Sequence, residues 1–446
     1  MNRWTLAVWL GALVYALVYA SLDWWRWATY HASYDFAVVV QIVLSGFPHF
    51  YNPEEAANHF TRHFSPIFGL LTPFVATTHS VVPLFFIQAI AGALVAPGLY
   101  AIAVRRLAPP LAAGVASIAF IYPPLAGVIF ADPTENVFVP AATVWLLCSL
   151  DGKRYWLAAT AAIVLLATKE DQGLFLAAVG LALALWFRRR EPGVARFSLA
   201  LACAGALTFV LYFTVIRPAA GATDPWPYTH FYAWGRPGLF AEAPLTSPGR
   251  LTYLLEAFAP LLFVPFGSPA LVLALPGFAE VLASHESMTF RMGTPYAATW
   301  LGYVLVAYVL GIARIATRSP RRARNYALGS AIVCVLVLAF ASPTHWRHYL
   351  SWPNAHDAAL DRVLASLPQD AAVGTYEEAY SHLGFDRNAA WGWGHHPDYI
   401  LIDETMTGSL AVRGLIDRVR TDSDFTLRTS DDGIKVYRRK GTERAH

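Results

Sequence analysis

Apolar runs near residues 4–20, 81–104, 111–129, 136–150, 155–168, 172–187, 197–216, 251–266, 268–283, 296–313 and 326–342 recur through the chain. A helix crosses the hydrocarbon layer of a bilayer with about 20 apolar residues, because only a backbone that satisfies its own hydrogen bonds is tolerated there. Runs this frequent predict an all-α polytopic membrane bundle of about eleven spanning helices, several short or interrupted by Gly and Pro. Charge agrees, since Asp, Glu, Lys and Arg are 14% of the 446 residues against about 25% in soluble domains. The formal charge of +3 gives no nucleic-acid signal, because in such a chain the placement of Lys and Arg matters more than their sum. Cys148, Cys203 and Cys334 each sit in an apolar run, which suits small buried hydrophobes better than disulfide or metal chemistry.

The first run ends in Val-Tyr-Ala, a sequence compatible with signal-peptide cleavage, but it continues into Asp23, Trp24, Trp25 and Trp27. That interfacial aromatic belt favours an uncleaved first span. Basic clusters at Arg105-Arg106, Lys153-Arg154, Arg188-Arg189-Arg190 and Arg314–Arg324 belong on the cytoplasmic side of a cell membrane by the positive-inside rule. With a cytoplasmic N-terminus, all four fall on that side only if the run at 65–79 does not cross. That run, in TRHFSPIFGLLTPFVATTHS, has roughly 14 apolar residues where a span takes about 20. A short helix lying at or dipping into the outer interface is expected there.

This threading gathers ionisable residues on the outer side: Asp23 and Asp35, Arg62 and His63, Asp132 and Glu135, Lys169-Glu170-Asp171, Asp224 and His230, then His285, Glu286 and Arg291. Charges at membrane depth are expensive and face a cavity or one another, so an outward polar cavity is expected. Lys169, Glu170 and Asp171 stand consecutively between two apolar runs with no room for a long loop, which demands mutual pairing. Residues 1–342 then form the membrane domain, and 343–446 a small extracytoplasmic α/β domain. The latter shows an amphipathic helix through LDRVLASL, a short strand after it, a buried strand in HPDYILIDE, a helix in LAVRGLIDRVR, and two strands around Asp-Asp-Gly in FTLRTSDDGIKVYRR. The Pro-, Gly- and aromatic-rich segment 218–250 is expected to be a packed loop, and no internal repeat is evident.

The segments SYDFAVVVQ, HFSPIFGLLTPF, FIYPPLAGVIFADPTE, LLATKEDQGLFLAAVGLAL and LDRVLASLPQDAAVGT…PDYILID resemble, in order and over nearly the whole chain, the bacterial membrane-protein family called domain of unknown function 2079. An acid after the first span, a Pro-containing short helix and a span ending in RRL are more distantly similar to the GT-C membrane glycosyltransferases, including the aminoarabinose and protein-mannosyl transferases. Where the family pattern carries a second acid in the first loop, this chain has Val40, and FADPTEN stands where a DFHPE-like stretch is usual. The GT-C resemblance implies a polyprenyl-phosphate sugar donor, a glycan, lipid or protein acceptor, a catalytic acid in the first outer loop, and a divalent metal ion as a candidate cofactor.

Under that implication Asp35 is the candidate base for the acceptor hydroxyl, and it equally suits the N-cap of a helix beginning at Phe36. Arg62, His63 and Lys169 are candidates to hold the donor phosphate, against snorkelling or headgroup contact as the plain alternative. Asp132, Glu135, Glu170 and Asp171 are supporting acids, and His285, Glu286 and Arg291 are weaker candidates. His345 with His348, and His395 with His396, lack a complete metal-ligand set, and the aromatics of AWGWGHH suit packing better than sugar stacking. The rival function is a transporter or lipid flippase, which predicts charges near the midplane and inverted repeats.

Overall fold

The computed structural model describes residues 2–232, 245–342, 344, 346–369, 371–386, 388–394, 396–406 and 408–442. His345, His395 and part of the 218–250 loop therefore lie outside the described residues, as does the side chain of His348. The chain forms two compact units: Met1–Ser21, Phe60–Leu70 and Pro83–His345 in one, and Leu22–His59, Leu71–Val82 and Trp346–His446 in the other.

Described helices long and apolar enough to cross a membrane are Arg3–Ala28, Val82–Ala103, Glu170–Phe187, Pro192–Ala219, Pro295–Arg318 and Pro320–Phe340, all in the first unit except for Leu22–Ala28 and Val82. A seventh is the pair Pro109–Ile121 and Pro123–Phe130, bent by 46°. The bend falls where Tyr122 is extended (φ −75°, ψ 115°) ahead of Pro123, which disfavours helical geometry in its predecessor. The remaining expected spans fall on shorter or broken helices. Runs 136–150 and 155–168 give Val139–Asp151 and Tyr155–Thr168. Run 251–266 begins in Pro248–Phe258 and breaks into short 3-10 turns, and run 268–283 becomes a further turn and Leu275–Ala283. Pro260, Pro265, Pro269 and Pro276 each remove a ladder donor, so no continuous helix survives there.

Pro295–Arg318 is the core of this unit, 89% of its apolar window being buried, against 22% for Pro192–Ala219 and for Pro320–Phe340. The outer helices expose Leu13, Val14, Leu207, Val210, Leu328 and Leu336, which suits an acyl-chain solvent. Cys148 and Cys334 are buried as expected, but Cys203 is exposed on one of these outer helices. The expected interfacial run forms the short helix Phe68–Thr78, which from Leu71 onward is part of the second unit.

Glu170–Phe187 and Pro192–Leu211 pack through glycine. A Cβ on Gly205 would lie 2.5 Å from the Gly173 carbonyl oxygen, and one on Gly180 would lie 2.6 Å from that of Ser198. Backbone obstructs both positions, so small residues at this spacing are what allows the close approach. Gly205→Leu is expected to force the helices apart and lower the thermal midpoint of the purified protein strongly, whereas Gly114→Leu, where an added Cβ meets nothing within 4 Å, leaves it unchanged.

In the second unit a five-stranded sheet runs Ala390–Trp391, Val373–Thr375, Tyr399–Asp403, Ile434–Arg439, Phe425–Asp431. The first three strands are parallel and the last two pairings antiparallel. Asp432 (φ 49°) and Gly433 (φ 83°) form the tight hairpin turn, the left-handed conformations that make Asp-Gly favourable there. Ala355–Ala365, started by an Asn354/Asp357 capping box, and Leu410–Thr421 cover the sheet with Leu360, Val363, Val412, Leu415 and Ile416.

The first long loop belongs to this same unit. Tyr30 lies in the sheet's core cluster and donates to Asp361 Oδ1 at 2.5 Å, and Gln41 donates to the Asp386 carbonyl at 2.9 Å. His382 is stacked between Trp27 (4.2 Å) and Tyr30 (4.0 Å) and donates through Nε2 to the Trp27 carbonyl. Burial lowers its pKa to about 4, while burial, with Glu377 and Asp403 nearby, raises Glu378 to about 7. The signs oppose. As pH falls from about 6.5 to 4 the unfolded chain takes up the His382 proton first, and as pH rises from about 4.5 to 7 it releases the Glu378 proton first; each shift is worth about 3 kcal/mol at most. Thermal melts at pH 4–8 should therefore show Glu378→Gln gaining stability over wild type above pH 7, by about 1–3 kcal/mol, with acid lability below pH 6 retained.

Candidate functional site

The link between Tyr155–Thr168 and Glu170–Phe187 is the single extended residue Lys169 (φ −160°, ψ 155°). A one-residue link leaves no solvated loop, so the Lys-Glu-Asp triplet must find partners inside the unit. Glu170 and Asp171 occupy the first turn of their helix, where the positive end of its dipole favours carboxylates.

Glu170 is 1% exposed and grips the HFSP segment: its Oε1 accepts from His63 Nδ1 at 3.0 Å and its Oε2 from the Phe64 N–H at 2.9 Å. The Ile67 N–H donates to the Ala167 carbonyl at 2.8 Å, extending the attachment across the Lys169 link. Lys169 Nζ lies 3.5 Å from Asp171 Oδ2 and 5.9 Å from the centroid of the Tyr296 ring. Gln172 steadies Asp171 through a 3.1 Å bond to Oδ1. Glu135, 8% exposed, and Glu280 both act on Lys169 electrostatically, and the Glu280 carboxyl hydrogen-bonds that of Asp171.

A second set of ties fixes the residues before His63. Arg217 Nε donates to the Thr61 carbonyl at 2.9 Å, and Trp226 Nε1 donates to the Arg62 carbonyl at 3.1 Å. Arg62 and Arg217 share Asp224 at 3.4 and 3.3 Å, and the His63 ring stacks on Tyr228 with centroids 4.5 Å apart. Three cations and one imidazole thus stand among the buried Glu170 and Glu135, the half-buried Asp171 and Glu280 and, at the edge, the exposed Asp224. Such a constellation can hold an anionic group whose charge changes during a reaction, because fixed charges with little water around them need no reorganisation.

Of the sequence candidates, His63, Lys169, Glu170 and Asp171 are brought together, with Glu135 beside them and Arg62 at the edge. Asp132 is buried just past Pro123–Phe130, where Gln88 donates to the carbonyls of Ile129 and Ala131. His285 and Glu286 are fully buried, 3.6 Å apart, with the His285 N–H on the Phe231 carbonyl, while Arg291 is exposed. Asp35 belongs to the second unit. It is exposed in the first turn of Tyr34–Ser45, whose N-cap position is held by Ser33; the helix starts two residues earlier than expected, so Asp35 is not its N-cap. Among the described residues no group of three or more His, Cys, Asp or Glu side chains is set to hold a metal ion.

Glu280, Arg217 and Tyr228 were not singled out in the sequence. Glu280 had a signal, being a lone acid in an otherwise apolar run. Arg217 and Tyr228 had none, since only the folded chain brings them to residues 61–63.

A comparison with curated protein sequences finds no match. Among solved structures, the crystal structure of ArnT from Cupriavidus metallidurans bound to undecaprenyl phosphate shares the fold, with a TM-score of 0.60 at 12% identity over 96% of this chain and 98% of that one. A family model described as "Predicted membrane protein (DUF2079)" matches residues 26–436. With nearly the whole chain matched, the protein belongs to the DUF2079 family of membrane proteins.

Proposed function

We propose that the protein is an integral-membrane glycosyltransferase that moves a sugar from a polyprenyl-phosphate donor to an extracytoplasmic acceptor, a cell-envelope glycan, lipid or protein. The observation that carries this reading is the buried cluster of Lys169, His63, Glu170 and Asp171, in a chain that shares its fold with a protein bound to undecaprenyl phosphate. In the reaction the acceptor hydroxyl oxygen attacks the anomeric carbon, the carbon–oxygen bond to phosphate breaks, and polyprenyl phosphate leaves with added negative charge. Lys169, His63 and Arg62 offset that charge, with Arg217 behind Arg62. Glu170 and Asp171 aim the cations rather than take the proton, and Glu135 and Asp132 support them.

Asp35, exposed in the first turn of Tyr34–Ser45, is the proposed base for the acceptor proton. In this reading the multi-pass protein lies in the cytoplasmic membrane with its N-terminus inside, and residues 343–446 form an extracytoplasmic domain.

The test uses protein in nanodiscs supplied with a panel of radiolabelled polyprenyl-phosphate sugars. Wild type is expected to release or transfer label from one donor, and Asp35→Asn to do so about 10²–10⁴-fold more slowly with unchanged donor binding. Wild type and Asp35→Asn equally inert across the panel would remove the transferase reading, and substrate movement without covalent product would replace it with transport.

A further inference from the structure

Glu170–Phe187 joins two different polar environments. Its N-terminus carries the carboxylate cluster, and its C-terminus, about 26 Å away at 1.5 Å per residue, borders a cavity of ≈ 330 Å³. The inner wall of that cavity is apolar, formed by Leu147, Leu183, Phe187, Leu273, Val306 and Leu310. Its mouth carries Arg106, Asp151, Glu191 and Arg314. Asp151 is engaged between Arg105 and Arg106, and Glu191 with Lys153 at 2.8 Å. Arg314 is exposed, and its described bond, from one terminal nitrogen to the Gly267 carbonyl at 3.1 Å, leaves the other free to donate. Arg105, beside Asp151, and Lys153, beside Glu191, add to Arg106 and Arg314, so bases outnumber acids around the opening.

We infer that this cavity is a binding site for an anionic glycerophospholipid, one acyl chain filling the apolar interior and the phosphate held by Arg314 with Arg106 beside it. A basic mouth on an apolar pocket between membrane helices matches the two halves of such a lipid, and this pairing is how basic interhelical pockets take acidic headgroups. The occupant is a membrane constituent rather than the proposed donor, because the cation–carboxylate cluster stands at the opposite end of the helix.

The test is binding of phosphatidylglycerol to full-length protein in detergent, read by native mass spectrometry, with phosphatidylcholine and free glycerol phosphate as comparators. Phosphatidylglycerol should bind at least about tenfold more tightly than either comparator. Arg314→Gln, at an exposed position, and Ala270→Trp, which fills the cavity from its rim, should each lose at least that preference. The surface triple Arg188→Gln/Arg189→Gln/Arg190→Gln should keep it. Equal binding of the two lipids, wild-type binding by both Arg314→Gln and Ala270→Trp, or a loss in the surface triple as large as in Arg314→Gln would overturn the site; an Ala270→Trp protein that does not fold leaves Arg314→Gln and the triple to decide.

Discussion

Lys169→Met is expected to slow sugar transfer severely and to destabilise the first unit by about 3–5 kcal/mol, the usual cost of stripping one partner from a buried ion pair. Loss of the ammonium leaves Asp171 without its 3.5 Å counter-charge and removes the cation acting on Glu170, Glu135 and Glu280. Transfer should fall about 10²–10³-fold beyond any loss of folded protein, the scale of removing one fixed group from a developing charge. The double variant Lys169→Met/Asp171→Leu separates the two effects. Replacing both members of a buried pair by apolar groups is close to neutral for stability, so the thermal midpoint should return toward wild type while transfer stays lost. Recovery of transfer with recovery of stability would make Lys169 purely structural.

Glu170→Ala carries the second large effect. It deprives the Phe64 N–H and His63 of their acceptor in a place where Glu170 is 1% exposed. Unsatisfied buried groups of this kind cost about 1–3 kcal/mol each, and the expected result is a loss of about 3–5 kcal/mol with early proteolysis within residues 61–67. Glu170→Gln keeps an oxygen for Phe64 but not the charge, so it should fold better than Glu170→Ala while transferring sugar as poorly. Purified variants compared by thermal melting, limited proteolysis and transfer rate check each part.

These two predictions rest on the part of the site that local sequence made visible. Three consecutive ionisable residues between apolar runs could be satisfied only by each other and by a neighbour, which is what Lys169, Glu170, Asp171 and His63 do. The C-terminal sheet was legible for a similar local reason, its hairpin being written in Asp432-Gly433 and its buried strand in Tyr399–Asp403. The region from Pro248 to Ala283 was less so, because hydropathy alone does not register how closely spaced prolines break an apolar run into turns. Nor does hydropathy show that residues 22–59, between two apolar runs, fold with the sheet some 300 positions later through Trp27, Tyr30 and Gln41. Contacts such as Arg217 to Thr61 join positions 156 apart, and no local pattern encodes them.

The cation–carboxylate cluster is expected to hold the phosphate of a polyprenyl lipid, which equilibrium binding of undecaprenyl phosphate to the purified protein in nanodiscs measures. Wild type should bind, Lys169→Met/Asp171→Leu should bind at least about tenfold more weakly while remaining folded, the loss of one charge-assisted contact being worth about 1.4 kcal/mol or more, and Arg314→Gln should bind as wild type does. Equal affinity of the wild type and the double variant would mean that the cluster does not hold the lipid phosphate.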